Sequence, residues 1–271
     1  VTSHASTDTT HAGSPVGLYS IGARDLDVPG LLSWAHQHGL PFMHLRAGPR
    51  GYDLARRDTS TLRHWARVAT HTIPVTGLTC DVDLVDLLRS DPDSTAQTTA
   101  LTAAARVLGC QWIRVLARTP PERLPEPVYL PPEVHTNHPI TVLIELHHPN
   151  WLLASSLELL RRILDNGPHL RLLIDTGQIH RGQRLHPDDS VAVDQLLAAA
   201  KVLHLSDDGT GLDGIGHVDT AECAVRHIDT GHNLEVAFEW TGRDRSPAQC
   251  LHRYRSALQW WQHRHQQVTN G

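Results

Sequence analysis

Short apolar runs alternate with amphipathic stretches along almost the whole chain. That alternation limits the fold more than any other feature of the sequence. The runs are VGLYSIG (16–22), LPFMHLRAG (40–48), IPVTGLTC (73–80), WIRVLA (112–117), TVLIELHH (141–148), LRLLIDTGQ (170–178), VLHLSDD (202–208) and LEVAFEWTG (234–242). Continuous apolar runs of this length suit strands buried on both faces of a parallel sheet. Between them, helices are predicted over 28–38, 59–71, 95–108, 154–166, 189–200, 219–229 and 247–267. Leu157, Leu160, Ile163 and Leu164 recur at helical spacing, as do Val193, Leu196 and Leu197. Asp58-Thr59-Ser60, Asp188-Asp189-Ser190 and Ser246-Pro247 mark helix starts, and Gly39 and Gly167-Pro168 mark ends.

Eight strands with intervening helices is the count of a (β/α)8 TIM barrel, an α/β fold of about 250 residues. A doubly wound sheet shows the same alternation with fewer strands. No G-x-G-x-x-G follows the first run, so a dinucleotide-binding reading lacks its fingerprint. Residues 16–267 are therefore expected to form one barrel domain. Residues 1–15 (VTSHASTDTTHAGSP) are expected to be a disordered polar tail without signal-peptide character. The stretch TPPERLPEPVYLPPEVHTNHP has six prolines between 120 and 132, which forbids a long helix and predicts a loop across the rim.

Composition excludes some classes of function. A formal net charge of −5 argues against a dedicated nucleic-acid surface, and the longest apolar runs are too short to span a bilayer. Cys80, Cys110, Cys223 and Cys250 form no CxxC pair and read as scattered reduced thiols, so a cytoplasmic location is expected. The sole lysine, Lys201, lies toward the wrong end of its strand for a Schiff base at a barrel mouth. The C-terminal LQWWQHRH is expected either to pack under the barrel or to join two copies in a homo-oligomer.

Chemistry gathers at the C-terminal ends of the last four runs. Glu145, Asp175, His204 and Glu239 are each separated by roughly one βα unit. In a barrel, strand ends converge at the mouth. Three carboxylates and one imidazole there suit one divalent cation, Mn²⁺, Mg²⁺, Co²⁺ or Zn²⁺. Any one of them alone is as readily a cap or a salt-bridge partner. His44 and Arg46, ending the second run, are placed to face the pocket and hold an oxyanion. Trp240 and Trp151 are candidate pocket walls, and Asp207 is a candidate partner for the second ring nitrogen of His204. Arg171 and Glu235 share strand parity with Asp175 and Glu239 and are expected to pair near the barrel floor.

With IELHHP, IDTG, VLHLSDD and FEW in this order, the chain resembles the xylose isomerase-like superfamily, especially its sugar phosphate isomerase/epimerase group. LGCQWIRVLA resembles that group's fourth strand and GLDGIGHVD its glycine-rich turn. The resemblance spans about residues 16–260. It implies a metal-dependent isomerase or epimerase acting on a sugar or related α-hydroxy carbonyl compound through a metal-stabilised enediolate. Glu145, Asp175, His204 and Glu239 would be metal ligands, with Glu145 and Glu239 as bases. His147 and Gln178 would then contact a small-molecule substrate. Two departures stand out. Gln178 occupies a place where many members have His, and no arginine follows His204 in LSDDGTGLDG. Lyase, dehydratase or rearrangement chemistry from the same enolate therefore stays open. So do an endonuclease-IV-like phosphodiesterase and a non-catalytic barrel.

Overall fold

The computed structural model describes residues 15–125, 140–165, 167–189 and 192–270. The expected N-terminal tail, apart from Pro15, and residues 126–139 of the proline-rich stretch lie outside them. Eight parallel strands pair in chain order: β1 (Val16–Tyr19), β2 (Met43–Arg46), β3 (Val75–Asp83), β4 (Trp112–Ala117), β5 (Thr141–Leu146), β6 (Leu170–Asp175), β7 (Ala200–Asp207) and β8 (Glu235–Trp240). Val16, Gly17 and Leu18 of β1 pair with Val236, Ala237 and Phe238 of β8, which closes the barrel.

Helices cover the outside: α1 (Val28–Gln37), α2 (Thr59–His71), α3 (Leu84–Leu88), α4 (Pro92–Leu108), α5 (Leu157–Asp165), α6 (Thr176–Leu185), α7 (Val193–Leu197), α8 (Ile215–Asp229) and α9 (Pro247–Asn270). Aspartates begin several of them. Asp27, Asp58 and Asp91 accept from the backbone amides of Gly30, Thr61 and Ser94, satisfying donors that a helix start leaves free. Gly109 ends α4 at φ 78°, in the left-handed region.

Two elements depart from the sequence-based expectation. The sixth apolar run suggests an extended chain as far as residue 178. Instead the Asp175 side chain accepts from Gln178 N at 2.9 Å, so β6 stops and α6 starts at once. The helix expected over 189–200 is the single short turn of α7 among the described residues.

Part of the barrel floor is apolar. Trp112, Leu143, Leu173 and Val202 are fully buried and form a cluster separate from the larger core between sheet and helices. Trp112 fits because β3 carries Gly77: a Cβ there would lie 2.0 Å from the indole. Leu143, Leu173 and Val202 each stand two residues before a strand-end polar residue, Glu145, Asp175 and His204. Period-two alternation therefore puts those three side chains one layer higher on the same inner face. The register between β6 and β7 skips Lys201, since Leu172 pairs with Ala200 and Leu173 with Val202. The skip keeps Val202 and His204 inward.

The expected Arg171–Glu235 pair does not form. Arg171 is exposed at the start of β6, with its guanidinium on the Leu170 carbonyl. The parity matches, but Arg171 sits at the open lower rim, where water solvates a guanidinium better than a buried partner would. Glu235 is engaged inside the barrel, as described below. At the C-terminus, Trp261 is fully buried and the Tyr254 hydroxyl donates to Val16 O at 2.7 Å, so α9 packs on the barrel. No described helix is long and apolar enough to cross a membrane. All four cysteines are free and buried.

Candidate metal centre

The C-terminal mouth opens into a cavity of about 1470 Å³ lined by residues from several strand ends and the loops after them. At its base, one donor atom each from Asp175, His204 and Glu239 lies within 4.8 Å of the others, and all three residues are buried. Glu145 is buried beside them, at 3% exposure. All four strand-end residues that the sequence singles out thus reach the same mouth.

His204 reveals what this arrangement requires. Its ring is fully buried, and burial pulls its pKa down to about 4, so it is neutral at ordinary pH. A neutral imidazole has one donor and one acceptor nitrogen. His204 Nε2 lies 2.9 Å from His44 Nδ1, and His44 Nε2 lies 2.8 Å from Glu235 Oε1. Burial likewise holds His44 at about 4, hence neutral. Glu235 also accepts from Trp112 Nε1 at 2.9 Å and Thr76 Oγ1 at 3.1 Å, which suits an ionised carboxylate. The proton positions follow in order. His44 Nε2–H donates to Glu235, His44 Nδ1 accepts from His204 Nε2–H, and His204 Nδ1 is left with a lone pair.

That lone pair faces Glu239 Oε2 at 2.9 Å. Two acceptors cannot stand that close without a proton or a cation between them. Burial first, and the Glu145 charge second, raise Glu239 to about 7, so a shared proton is one answer. Asp175 is also raised well above the usual carboxylate range, by burial and then by Glu239 and Glu145. A divalent ion answers the same demand for all of them. Glu145 adds a further sign of fit. Burial opposes its charge, but Arg114 and His147 outweigh burial and hold it down at about 2. Its Oε1 accepts from His147 Nε2 at 2.9 Å. Its Oε2 lies 2.9 Å from Arg114 Nε yet makes no hydrogen bond, which leaves a buried oxygen lone pair unused. One oxygen of Asp175 is spent on capping α6, and the other remains. The donor set is thus carboxylate oxygens and one imidazole nitrogen, a set suited to Mn²⁺, Zn²⁺ or a similar ion.

Several sequence-based assignments change. His44 does not face substrate; it lies wholly buried behind His204 and fixes its tautomer. Asp207 does not hold His204. Its carboxylate accepts from Gly209 N and Gly211 N and so shapes the turn after β7. Trp240 and Trp151 are buried, with their indole N–H groups on Asp244 O and Thr119 O, and neither lines the cavity. Both are too apolar to be left at a wet mouth. Arg46, His147 and Gln178 do line it. Gln178 Nε2 lies 3.4 Å from His147 Nδ1.

Sequence reasoning passes over Tyr19, Arg114 and Arg245. Tyr19 stacks on His204 with ring centroids 5.2 Å apart, and its hydroxyl pairs with Thr79 Oγ1 at 2.6 Å. Arg114 is legible as the one charge inside WIRVLA: a guanidinium in mid-strand needs a buried partner, and Glu145 is one strand away. Arg245 gives no signal, because it follows β8 in an irregular loop.

No protein-family model matches the chain, and neither does any curated protein sequence. Solved structures do match. A xylose isomerase domain protein from Planctomyces limnophilus is 18% identical, with 95% of this chain and 99% of that chain covered and a TM-score of 0.65. The 3-keto-D-glucoside 4-epimerase YcjR from E. coli, in its apo form, is 15% identical, covering 92% and 99% with a TM-score of 0.62. An IolI protein with a bound zinc atom is 12% identical, covering 90% and 96% with a TM-score of 0.60. The fold is that of the xylose isomerase-like TIM barrels.

Proposed function

We propose that this chain is a divalent-metal-dependent isomerase or epimerase acting on a sugar or related α-hydroxy carbonyl compound. The observation that carries the reading is the lone pair of buried, neutral His204 Nδ1 converging with the carboxylates of Asp175 and Glu239 at the barrel mouth. Asp175, His204 and Glu239 would hold the ion, with Glu145 Oε2 completing the set. The zinc of one structural neighbour and the sugar chemistry of another support this reading.

A divalent ion there supplies Lewis acidity to a carbonyl and its neighbouring hydroxyl, which acidifies the proton between them. This chain's own residues move that proton. Glu239 and Glu145 come from β8 and β5, three strands apart around the mouth, and would flank one substrate plane. They are unequally prepared. Without the ion Glu239 is raised to about 7 by burial and then by Glu145; a bound ion would favour its ionised form, the state that takes a proton. Glu145 is kept ionised by Arg114, and His147 Nε2 on its Oε1 is the proton carrier on that side. Gln178 offers an amide to a substrate hydroxyl but cannot act as an acid. Tyr19 and His204 pack ring on ring, which keeps water from the inner side of the site.

Elemental analysis of the purified protein, combined with α-proton exchange into deuterated solvent over a panel of ketoses, tests the reading. The expected result is about one divalent ion per chain with deuterium wash-in. Absence of both after metal supplementation would overturn it. Glu145→Gln is expected to lower turnover by about a thousandfold or more while metal stays bound. Undiminished turnover in that variant would remove Glu145 from the chemistry.

A multi-zinc phosphodiesterase finds less support. Among the described residues the other potential metal group is Asp194, Cys223 and His227, on α7 and α8, and none of the three lines the cavity.

A further inference from the structure

The chain is acidic overall, yet arginines outnumber carboxylates around the mouth. Three of the lining carboxylates, Glu145, Asp175 and Glu239, belong to the proposed metal set, so their charge is already committed. Asp81 is the carboxylate left to serve the arginines of the β2–β4 side. It takes two hydrogen bonds from Arg50, at 2.9 and 3.0 Å, and lies 3.6 Å from Arg118. Arg46 approaches it only to 4.0 Å. On the β8 side, Arg245 is pinned by two backbone carbonyls, with Nε on Gly242 O at 3.1 Å and Nη2 on Thr241 O at 2.8 Å. Its backbone carbonyl accepts from Arg24 N at 2.9 Å, which brings a further arginine to the same corner. Neither Arg24 nor Arg245 makes an ion pair with a carboxylate among the described residues.

We infer that Arg24, Arg46 and Arg245 form an anion subsite beside the metal ligands, and that the substrate is an α-hydroxy carbonyl compound bearing a carboxylate or phosphate. The inference rests on the function proposed above and names the substrate class of that site. Arg24 and Arg245 have no carboxylate partner among the described residues and Arg46 has one only at 4.0 Å, so a bound anion would ease the repulsion that Arg24 and Arg46 exert on Arg245. Burial, then the charges of Arg24 and Arg46, push the pKa of Arg245 down, as such crowding demands. Arg245 is held by its backbone bonds before any ligand arrives, so little side-chain freedom is lost on binding. Its remaining N–H groups, with those of Arg46, offer the planar forks that match carboxylate and phosphate oxygens. The same arginines feel the interior of the site. The Glu239 charge acts on Arg245, and the Arg46 charge acts on Tyr19, which stacks on His204. Arg46, Arg245, Glu145, Asp175 and Glu239 line one cavity, so a short substrate would place its carbonyl end at the carboxylates and its anionic end between Arg46 and Arg245.

Calorimetric titration of inorganic phosphate and of malonate, into metal-loaded and into chelator-stripped protein, tests this. At least one of the two should bind in both forms. Arg46→Gln and Arg245→Gln should each weaken binding about tenfold, the scale of one lost charge-assisted hydrogen bond. Arg255→Gln, on the exposed face of α9, should bind like the parent. Phosphate binding alone would place a phosphoryl group on the substrate; malonate alone would place a carboxylate. No binding of either at tens of millimolar, or equal binding by the two mouth variants, would overturn the inference. Elemental analysis of the same samples separates the anion subsite from the metal site. Metal retained without anion binding removes only the anion subsite, and metal lost from the parent removes the metal reading.

Discussion

His44 acts on the candidate metal site at one remove, through the buried ring of His204. At the end of β2 it is placed like a pocket residue. The fold sets it behind His204, with Glu235 behind it in turn. A chain of carboxylate, imidazole and imidazole sets which nitrogen of His204 is free, and orienting partners of this kind are commonly worth 10–100-fold in metal affinity. His44→Ala should therefore weaken Zn²⁺ or Mn²⁺ binding by about that factor without touching the ion; competition with a chromophoric chelator measures it. Unchanged affinity would mean that packing alone orients His204. The proton near Glu239 gives a second expectation. Its value of about 7 means that below neutrality a proton competes for the oxygen facing His204 Nδ1. Apparent metal affinity should rise with pH up to about 7, by roughly tenfold per unit for one proton released, and level off above. A flat profile from about pH 5.5 to 7 would show that Glu239 holds no proton in the ion-free site at those pH values.

Among the elements, β3 and β4 carry the closest fit. Trp112 fills the floor and also donates to Glu235, so it supports the histidine chain from below. The space it needs exists because residue 77 has no Cβ. Gly77→Ala should cost about 1–3 kcal/mol of stability, the range for overpacking a close-packed core. Chemical denaturation measures that loss. Because Trp112 would have to move off Glu235, metal affinity should fall together with stability. A stable variant with intact binding would show that the floor can yield. The β6–α6 junction shows how one residue serves two elements. Asp175 caps α6 with one oxygen and keeps the other for the site. Cap and ligand are alternatives for a strand-end aspartate in the sequence; the sharp strand-to-helix turn makes them compatible.

At the scale of the whole molecule, three histidines among the described residues are buried neutral: His44, His204 and His217, each lowered to about 4 by burial. A group with a depressed folded-state pKa binds more protons when unfolded. Its contribution to stability is complete above the unfolded value, about 6.5, and is lost as pH falls toward about 4. With metal bound, the raised carboxylates no longer oppose this trend. The thermal midpoint of the metal-loaded protein should then drop steadily between about pH 6.5 and 4.5. Calorimetric scans across that range check it, and a constant midpoint would show that these rings are solvated.

The apolar runs and their spacing determined the barrel, because parallel strands buried on both faces must be apolar and each βα unit needs a similar length of chain. The order of Glu145, Asp175, His204 and Glu239 on the last four runs likewise determined which side chains meet, since strand ends of a closed barrel converge. Depth and partners came only with the tertiary structure. Parity in Arg171 and Glu235 indicated a face of the strand but not whether that level was rim or interior. His44 and Trp240 stood at the correct ends of their strands, yet whether such a ring faces water or core depends on neighbouring strands far away in sequence. The tautomer of His204 was decided by His44 and Glu235, and the ionisation of Glu145 by Arg114. Each depends on close approaches between residues tens to hundreds of positions apart, which no local pattern encodes.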